Sequence, residues 1–363
     1  MTASTIDAPD CFAATYAEAR AKFLAAAAQA GAEVQSYAHP LKGPDGGDLA
    51  TDVLRLGGAD ASRVVVVASG THGVEGYCGS GVQVGLLRHG IAGELPEDTA
   101  LLLVHAHNPH GFAHDRRVTE DNVDLNRNFQ NFEGPPPTND AYGEIHGWLV
   151  PEDWDGEARA AADAAIAEFI ETRGMFAFQA AVSGGQYDHA DGVFFGGYEA
   201  TWSNQTVRAL AAGWCAQADR VALIDLHTGL GPRGFGELIA IGDEDATARC
   251  KAWYGDEARS LAGGESVSAA VQGTVNLGYQ QSIGGAELTA IALEYGTLPQ
   301  GEVLQAIRAD NWLHLHGDVG SEAGRAIKQQ VREAFYGDED QWKNDIWTRG
   351  LDITRKALVG ISA

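Results

Sequence analysis

The chain has 363 residues, with 50 acidic against 25 basic side chains, a formal net charge of -25 at pH 7, and hydrophobic and charged fractions of 45% and 21%. Those fractions are ordinary for a globular protein, and no apolar run approaches the roughly 18 residues of a membrane span. The negative field repels DNA, RNA and anionic lipid, so nucleic acid and membranes are excluded as partners.

Near the N-terminus, Asp7, Asp10 and Glu18 stand where a secretory signal carries a basic start and an apolar stretch, so the expected compartment is the cytoplasm. The first thirty residues have apolar positions at helical spacing, with Gly31 as a stop, which predicts a surface helix. DLATDVLRLG alternates as a half-buried strand, whereas RVVVVAS and TALLLVHA are continuous apolar runs that predict strands buried on both faces. A helix is expected over YCGSGVQVGLLRHG. Residues 132–156, with three consecutive prolines, read as a surface insertion rather than a linker, because apolar strands lie on both sides.

Further along, TWSNQTVRALAAGWCAQ and EDATARCKAWYGDEARSLA predict helices, DRVALIDLH and TAIALEYG predict strands, and the tail around 320–363 predicts an amphipathic helical extension that packs or mediates oligomer contacts. Strands separated by helices over most of the length predict a three-layer α/β/α fold with a mixed, largely parallel sheet, in one catalytic domain spanning 1–363. Cys11, Cys78, Cys215 and Cys250 are far apart without a C-x-x-C pair and read as free thiols.

In such folds ligands collect at the carboxyl ends of the strands. Four apolar runs end in chemistry-bearing residues: RVVVVAS leads to His72 and Glu75, TALLLVHA to the VDLNRNF stretch, VALIDL to His227 and TAIAL to Glu294. His72, Glu75 and His227 form the three-ligand set with which zinc keeps a fourth position for water; a closed structural zinc needs four ligands, often cysteines. The glycines of GTHGVEG suit a sharp reversal at a strand end, and Gly73 is expected to keep the space near the cation open. Asn126 and Arg127 offer an amide and a guanidinium fork suited to a carboxylate.

The motifs G-T-H-G-V-E-G, N-P-H-G, V-D-L-N-R-N-F, I-D-L-H-T-G and L-E-Y-G-T, in this order over residues 70–297, resemble the zinc carboxypeptidase superfamily, including its aspartoacylase and succinylglutamate desuccinylase branch. The resemblance implies one zinc ion per chain on His72, Glu75 and His227, with Glu294 as the catalytic carboxylate. It also implies Asn126 and Arg127 as receivers of the substrate's carboxylate and Asp124 as the acid orienting His72. An arginine that steadies the polarised carbonyl falls on Arg116 or Arg117, and Tyr279 on a substrate contact.

The expected function is zinc-dependent hydrolysis of an amide bond next to a free carboxylate. The substrate is a short peptide, as for a carboxypeptidase, or an N-acyl amino acid, with aspartoacylase-like deacylation of a small acidic metabolite as an alternative. A different class, a non-catalytic zinc or small-anion binding module, does not explain Glu294. No G-x-S-x-G elbow or G-x-x-x-x-G-K-[ST] loop is present, which excludes a serine hydrolase and a phosphate-binding loop of those kinds. Residues 183–205, with Tyr187 and His189, read either as a lid or substrate wall or as aromatics covering the core. His105, His107, His110 and His114 are not spaced for a second metal, and the partners left open are the small substrate and a second copy of the chain.

Overall fold

The computed structural model describes residues 6–260 and 271–363. The strands are β1 (Val34–Lys42), β2 (Asp48–Leu56), β3 (Arg63–Ala68), β4 (Thr99–His105), β5 (Arg220–Arg233), β6 (Gly236–Ile241), β7 (Ala258–Ser260) and β8 (Glu287–Gly296). Among the described residues they form one sheet in the order β1-β2-β4-β3-β5-β8-β6-β7. The central four, β4, β3, β5 and β8, run parallel, and antiparallel pairings of β2 with β4 and of β6 with β8 flank them.

The helices are α1 (Tyr16–Gln29), α2 (Gly76–His89), α3 (Pro109–Ala113), α4 (Asp140–Leu149), α5 (Glu157–Arg173), α6 (Met175–Ser183), α7 (Trp202–Trp214), α8 (Glu244–Tyr254), α9 (Val275–Ser282), α10 (Gln300–His316), α11 (Glu322–Phe335) and α12 (Asp340–Ser362). Side-chain oxygens of Thr15, Thr201, Asp243 and Ser321 accept backbone N–H groups at the starts of α1, α7, α8 and α11, the usual way of satisfying donors that a helix leaves unpaired.

Alternation along the buried strands produces the layers. Val65 and Val67 of β3 face a core shared with α1, α2 and α12, while Val64, Val66 and Ala68 face a second core with α7 and α9. A strand covered on both faces must be apolar at every position, which accounts for the unbroken valine run. The three-layer α/β architecture with a mixed sheet, parallel at its centre, is therefore as the sequence predicts.

Two local expectations are corrected. β2 is buried along most of its length, not half-exposed, because Leu54 and Leu56 join the core that contains α1, whose Arg20 pairs with the buried Asp52 at 2.7 Å, while Val53 on the other face joins the second core. The helix after Gly242 stops at Tyr254: Gly255 takes φ +90, and the chain turns into β7, paired with β6. The last two residues of that predicted helix lie outside the described residues. The stretch 132–156 contains α4, which together with α5 and α6 packs a third apolar cluster around Tyr142, Ile145, Leu149, Phe169 and Phe178.

The tail is integral to the main core. α12 buries Ile346, Trp347, Ile353, Ala357, Leu358 and Ile361 in the cluster that contains α2 and one face of the sheet. All four cysteines are buried and free. Among the described residues no helix is long and apolar enough to cross a membrane.

Candidate metal centre

β3 ends at Ala68, and the chain enters a turn in which Gly70 adopts φ +62. His72 and Glu75 follow before α2 begins at Gly76. His227 lies on β5, paired in register with Glu294 of β8. Asp225 and His227 are two apart on a strand and so project from the same face. All of these groups are buried: His72 is 4% exposed, Glu75 1%, His227 3% and Glu294 8%.

The donor atoms of His72, Glu75 and His227 lie within 4.8 Å of one another. Glu75 sits between the rings, with Oε1 2.9 Å from His72 Nδ1 and Oε2 2.9 Å from His227 Nδ1. The outer nitrogens are also held: His72 Nε2 lies 3.2 Å from Asp124 Oδ1 and His227 Nε2 lies 2.6 Å from Asp225 Oδ2. Each imidazole thus directs Nδ1 inward and gives its other nitrogen to a carboxylate, the arrangement that orients histidine ligands on metals. Two imidazoles and one carboxylate form the borderline donor set that suits zinc, so the residues present fit the ion.

The electrostatics favour a cation. Burial opposes ionisation of Glu75, but the His72 and His227 imidazoles outweigh it and hold its carboxyl well below the usual range. Burial likewise works against a charged His227, and the Asp225 carboxylate overrides it, raising that ring well above an ordinary histidine. Glu294 is shifted the other way, upward, by burial and then by the nearby Glu75 carboxylate. Its Oε1 accepts the backbone N–H of Leu230 at 3.1 Å.

The two consecutive arginines separate cleanly. Arg117 donates from Nε to Asp124 Oδ2 at 3.0 Å and from Nη1 to Glu75 Oε1 at 3.4 Å, which puts it at the metal set. Arg116 is turned away into a buried ion pair with Asp310 at 3.0 Å and a hydrogen bond to Asn122, so the reading of Arg116 as a catalytic group is corrected. Asn126 and Arg127 follow Asp124 in a short 3-10 turn. Arg127 donates from Nε and Nη2 to the Ser183 carbonyl at 3.2 and 2.6 Å and from Nη1 to the Asn126 carbonyl at 2.9 Å. The Asn126 side-chain oxygen accepts the N–H of Val275 at 2.8 Å.

Tyr279 is also corrected. It is fully buried on α9 in the second core, and its hydroxyl pairs with His107 Nε2 at 3.0 Å rather than facing a substrate. Gly73 proves tight for a different reason from the one expected. A Cβ there would lie 2.1 Å from the Gly111 carbonyl carbon and 2.3 Å from the Phe112 nitrogen, so it is the backbone of α3, not the cation, that requires glycine.

A family model described as "Protein of unknown function (DUF2817)" matches residues 12–349. The chain belongs to the DUF2817 family. Among solved structures, this DUF2817 chain is similar to carboxypeptidase A from Helicoverpa armigera, at 13% identity and TM-score 0.43 over 88% of this chain and 74% of that one. It is also similar to succinylglutamate desuccinylase from Chromobacterium violaceum, at 18% identity and TM-score 0.37 over 85% and 72% of the respective chains. A third is murein-tripeptide amidase from Escherichia coli O157, at 15% identity and TM-score 0.36 over 80% and 94%. They are distant likenesses. No curated protein sequence matches.

Sequence reasoning missed a polar chain behind the DUF2817 site. Thr71 Oγ1 donates to Asp225 Oδ1 at 2.7 Å and lies 2.9 Å from His107 Nδ1, so His227, Asp225, Thr71, His107 and Tyr279 are joined in series. The signal was available for Asp225, two positions before His227 on a strand, but not for His107 or Tyr279, which only packing brings together. In the 183–205 loop the aromatic that lies against the site's arginines is not Tyr187 or His189, the two expected to face the pocket, and His189 stacks on His146 instead. Phe194 lies over the Arg117 and Arg127 guanidinium groups at 5.1 and 5.7 Å, as a wall would, while Tyr187 is buried and donates to the Arg127 carbonyl at 2.6 Å.

Proposed function

We propose that this protein is a zinc-dependent amidohydrolase that cleaves an amide bond next to a free carboxylate. The observation that carries the reading is the convergence of two imidazole Nδ1 atoms on Glu75, each ring backed by its own buried aspartate, with Glu294 on the neighbouring strand. His72, Glu75 and His227 would hold the ion. When bound, zinc lowers the pKa of a coordinated water and polarises a carbonyl.

The remaining steps belong to the chain. Glu294 acts as general base and then returns the proton to the leaving nitrogen. Glu294, raised by burial and by the Glu75 carboxylate, would be drawn back towards its basic form by a cation held on the neighbouring ligands. Arg117, anchored to Asp124 and Glu75, places positive charge where the carbonyl oxygen becomes negative. Asn126 and Arg127 are assigned to the substrate's carboxylate. The substrate class is a short peptide with a free C-terminus or an N-acyl amino acid, aspartoacylase-like acidic metabolites included.

A screen of dipeptides and N-acyl amino acids with and without a chelator tests the reading, because metal dependence and substrate class are read together. Glu294→Gln is expected to keep the zinc content of the wild type while kcat falls by roughly 10²–10⁴. Full activity in that variant sinks the assignment of the base.

A further inference from the structure

Apart from the set already described, one other group of side chains suited to a metal converges among the described residues: His146, His189 and Asp191, whose donor atoms also lie within 4.8 Å of one another. They share no residue with the first set. His146 is in the last turn of α4, and the other two are in the loop after α6. The imidazoles of His146 and His189 are stacked, 3.9 Å between centroids and 17° between planes. His146 Nε2 lies 3.4 Å from Asp191 Oδ1.

One further observation points to a ligand. His146 Nδ1 is buried and has no hydrogen-bond partner, and a buried ring nitrogen of that kind calls for an explanation. Gly192 is packed against it: a Cβ there would come within 2.4 Å of the Tyr142 hydroxyl, 3.0 Å of Gln186 Nε2 and 3.1 Å of His146 Nδ1, so only glycine lets the loop approach α4 this closely.

The loop is built before any ion arrives. Gln186 Oε1 accepts the N–H groups of Asp188 and His189 at 3.1 and 2.8 Å, and Gln186 Nε2 donates to the His189 carbonyl at 2.7 Å. Asn122 Nδ2 donates to the carbonyls of Ala190 and Gly192, and Asn311 Nδ2 to that of Asp191 at 2.7 Å. With its backbone held from three sides, the loop needs little further ordering to bind, and the Asp191 side chain, 58% exposed, is open to ions from solvent.

We propose that His146, His189 and Asp191 form a second divalent-metal site that clamps the 186–196 loop to α4. Two imidazoles and one carboxylate favour zinc, cobalt or nickel over calcium and magnesium, which seek oxygen-rich shells. The loop's other contacts define what the clamp steadies: Tyr187 binds the Arg127 carbonyl, Phe194 covers Arg117 and Arg127, and the Phe195 carbonyl accepts the Asp124 N–H at 2.7 Å. The ion thus braces the wall of the first site without touching it.

Untagged protein stripped by chelation and titrated with Co²⁺ and with Zn²⁺ tests this, using cobalt visible absorption and zinc retained after gel filtration. The wild type is expected to take up two equivalents. His189→Gln and Asp191→Asn are expected to lose the second, or to bind it at least tenfold more weakly, with circular dichroism unchanged. Zn²⁺ is also expected to raise the melting temperature of His72→Gln but to raise it less in a His72→Gln/His189→Gln double variant. Equal stoichiometry and affinity in the wild type and both loop variants overturn the second site. A His72→Gln variant that binds as much metal as the wild type overturns the first site and leaves the second standing, so the two failures are distinguishable.

Discussion

Asp225 and Asp124 carry no reacting group, yet each decides which nitrogen of a histidine faces inward, since His227 and His72 present Nε2 to them. Replacing Asp225 with Asn keeps the shape and removes the charge that steadies the ring. Zinc affinity measured by competition with a chromophoric chelator is expected to fall 10–100-fold in Asp225→Asn, the usual effect of losing an outer carboxylate. An unchanged affinity means that the His227 ring is oriented by packing alone. At this scale His72, Glu75, His227 and Glu294 were legible because each ends an apolar run. The choice of Arg117 over Arg116 was not, since adjacent residues point apart only once the backbone is placed.

His105 offers a residue-scale test of pH dependence away from the metal. It is fully buried, stacked on Phe23 at 4.6 Å and paired with Ser80 Oγ at 2.9 Å, and burial pushes its pKa down to about 4. An unfolded histidine titrates near 6.5, so between the two values the unfolded chain binds more protons. The contribution is full above about pH 6.5 and is lost as pH falls towards 4. Between pH 7 and pH 5 it amounts to on the order of 2 kcal/mol. Urea unfolding at the two pH values is expected to show that much less acid sensitivity in His105→Gln than in the wild type.

At the scale of elements, the turn between β3 and α2 is a strand end, a glycine turn and a helix start compressed against α3. The N–H groups of Gly73 and Val74 donate to the carbonyls of Arg117 and Arg116 at 3.0 and 2.8 Å, so this turn also sets where Arg117 stands. Gly73→Ala would drive a methyl into the backbone of Gly111 and Phe112, which cannot swing aside as a side chain can. The expected cost is about 3 kcal/mol, the upper end for overpacking, seen as a lowered melting temperature together with lost zinc binding. Strands covered on both faces, β3 and β4, were readable as continuous apolar runs. The end of α8 was missed because the helical pattern continues past Gly255, although that glycine, at φ +90, is the stop that turns the chain into β7.

For the whole molecule, the net charge of -25 sets a repulsion that compact folding intensifies. Raising ionic strength from about 10 mM to about 150 mM shortens the screening length from roughly 30 Å to roughly 8 Å. The melting temperature of the metal-free protein is expected to rise by a few degrees over that range, followed by scanning calorimetry. A fall would mean that surface ion pairs such as Arg349 with Glu257 and Arg355 with Glu94 outweigh the long-range repulsion.

Strand order along the chain, the run-ending ligands and the α/β layering were determined by the sequence itself, because hydrophobic periodicity and strand-end residues are local properties. The three-dimensional packing alone decided that Arg116 serves Asp310, that Tyr279 backs His107, and that residues from α4 and the 186–191 loop meet as a second cluster. Those pairings join groups between 43 and 194 positions apart, and no local pattern encodes which distant partner a side chain will find.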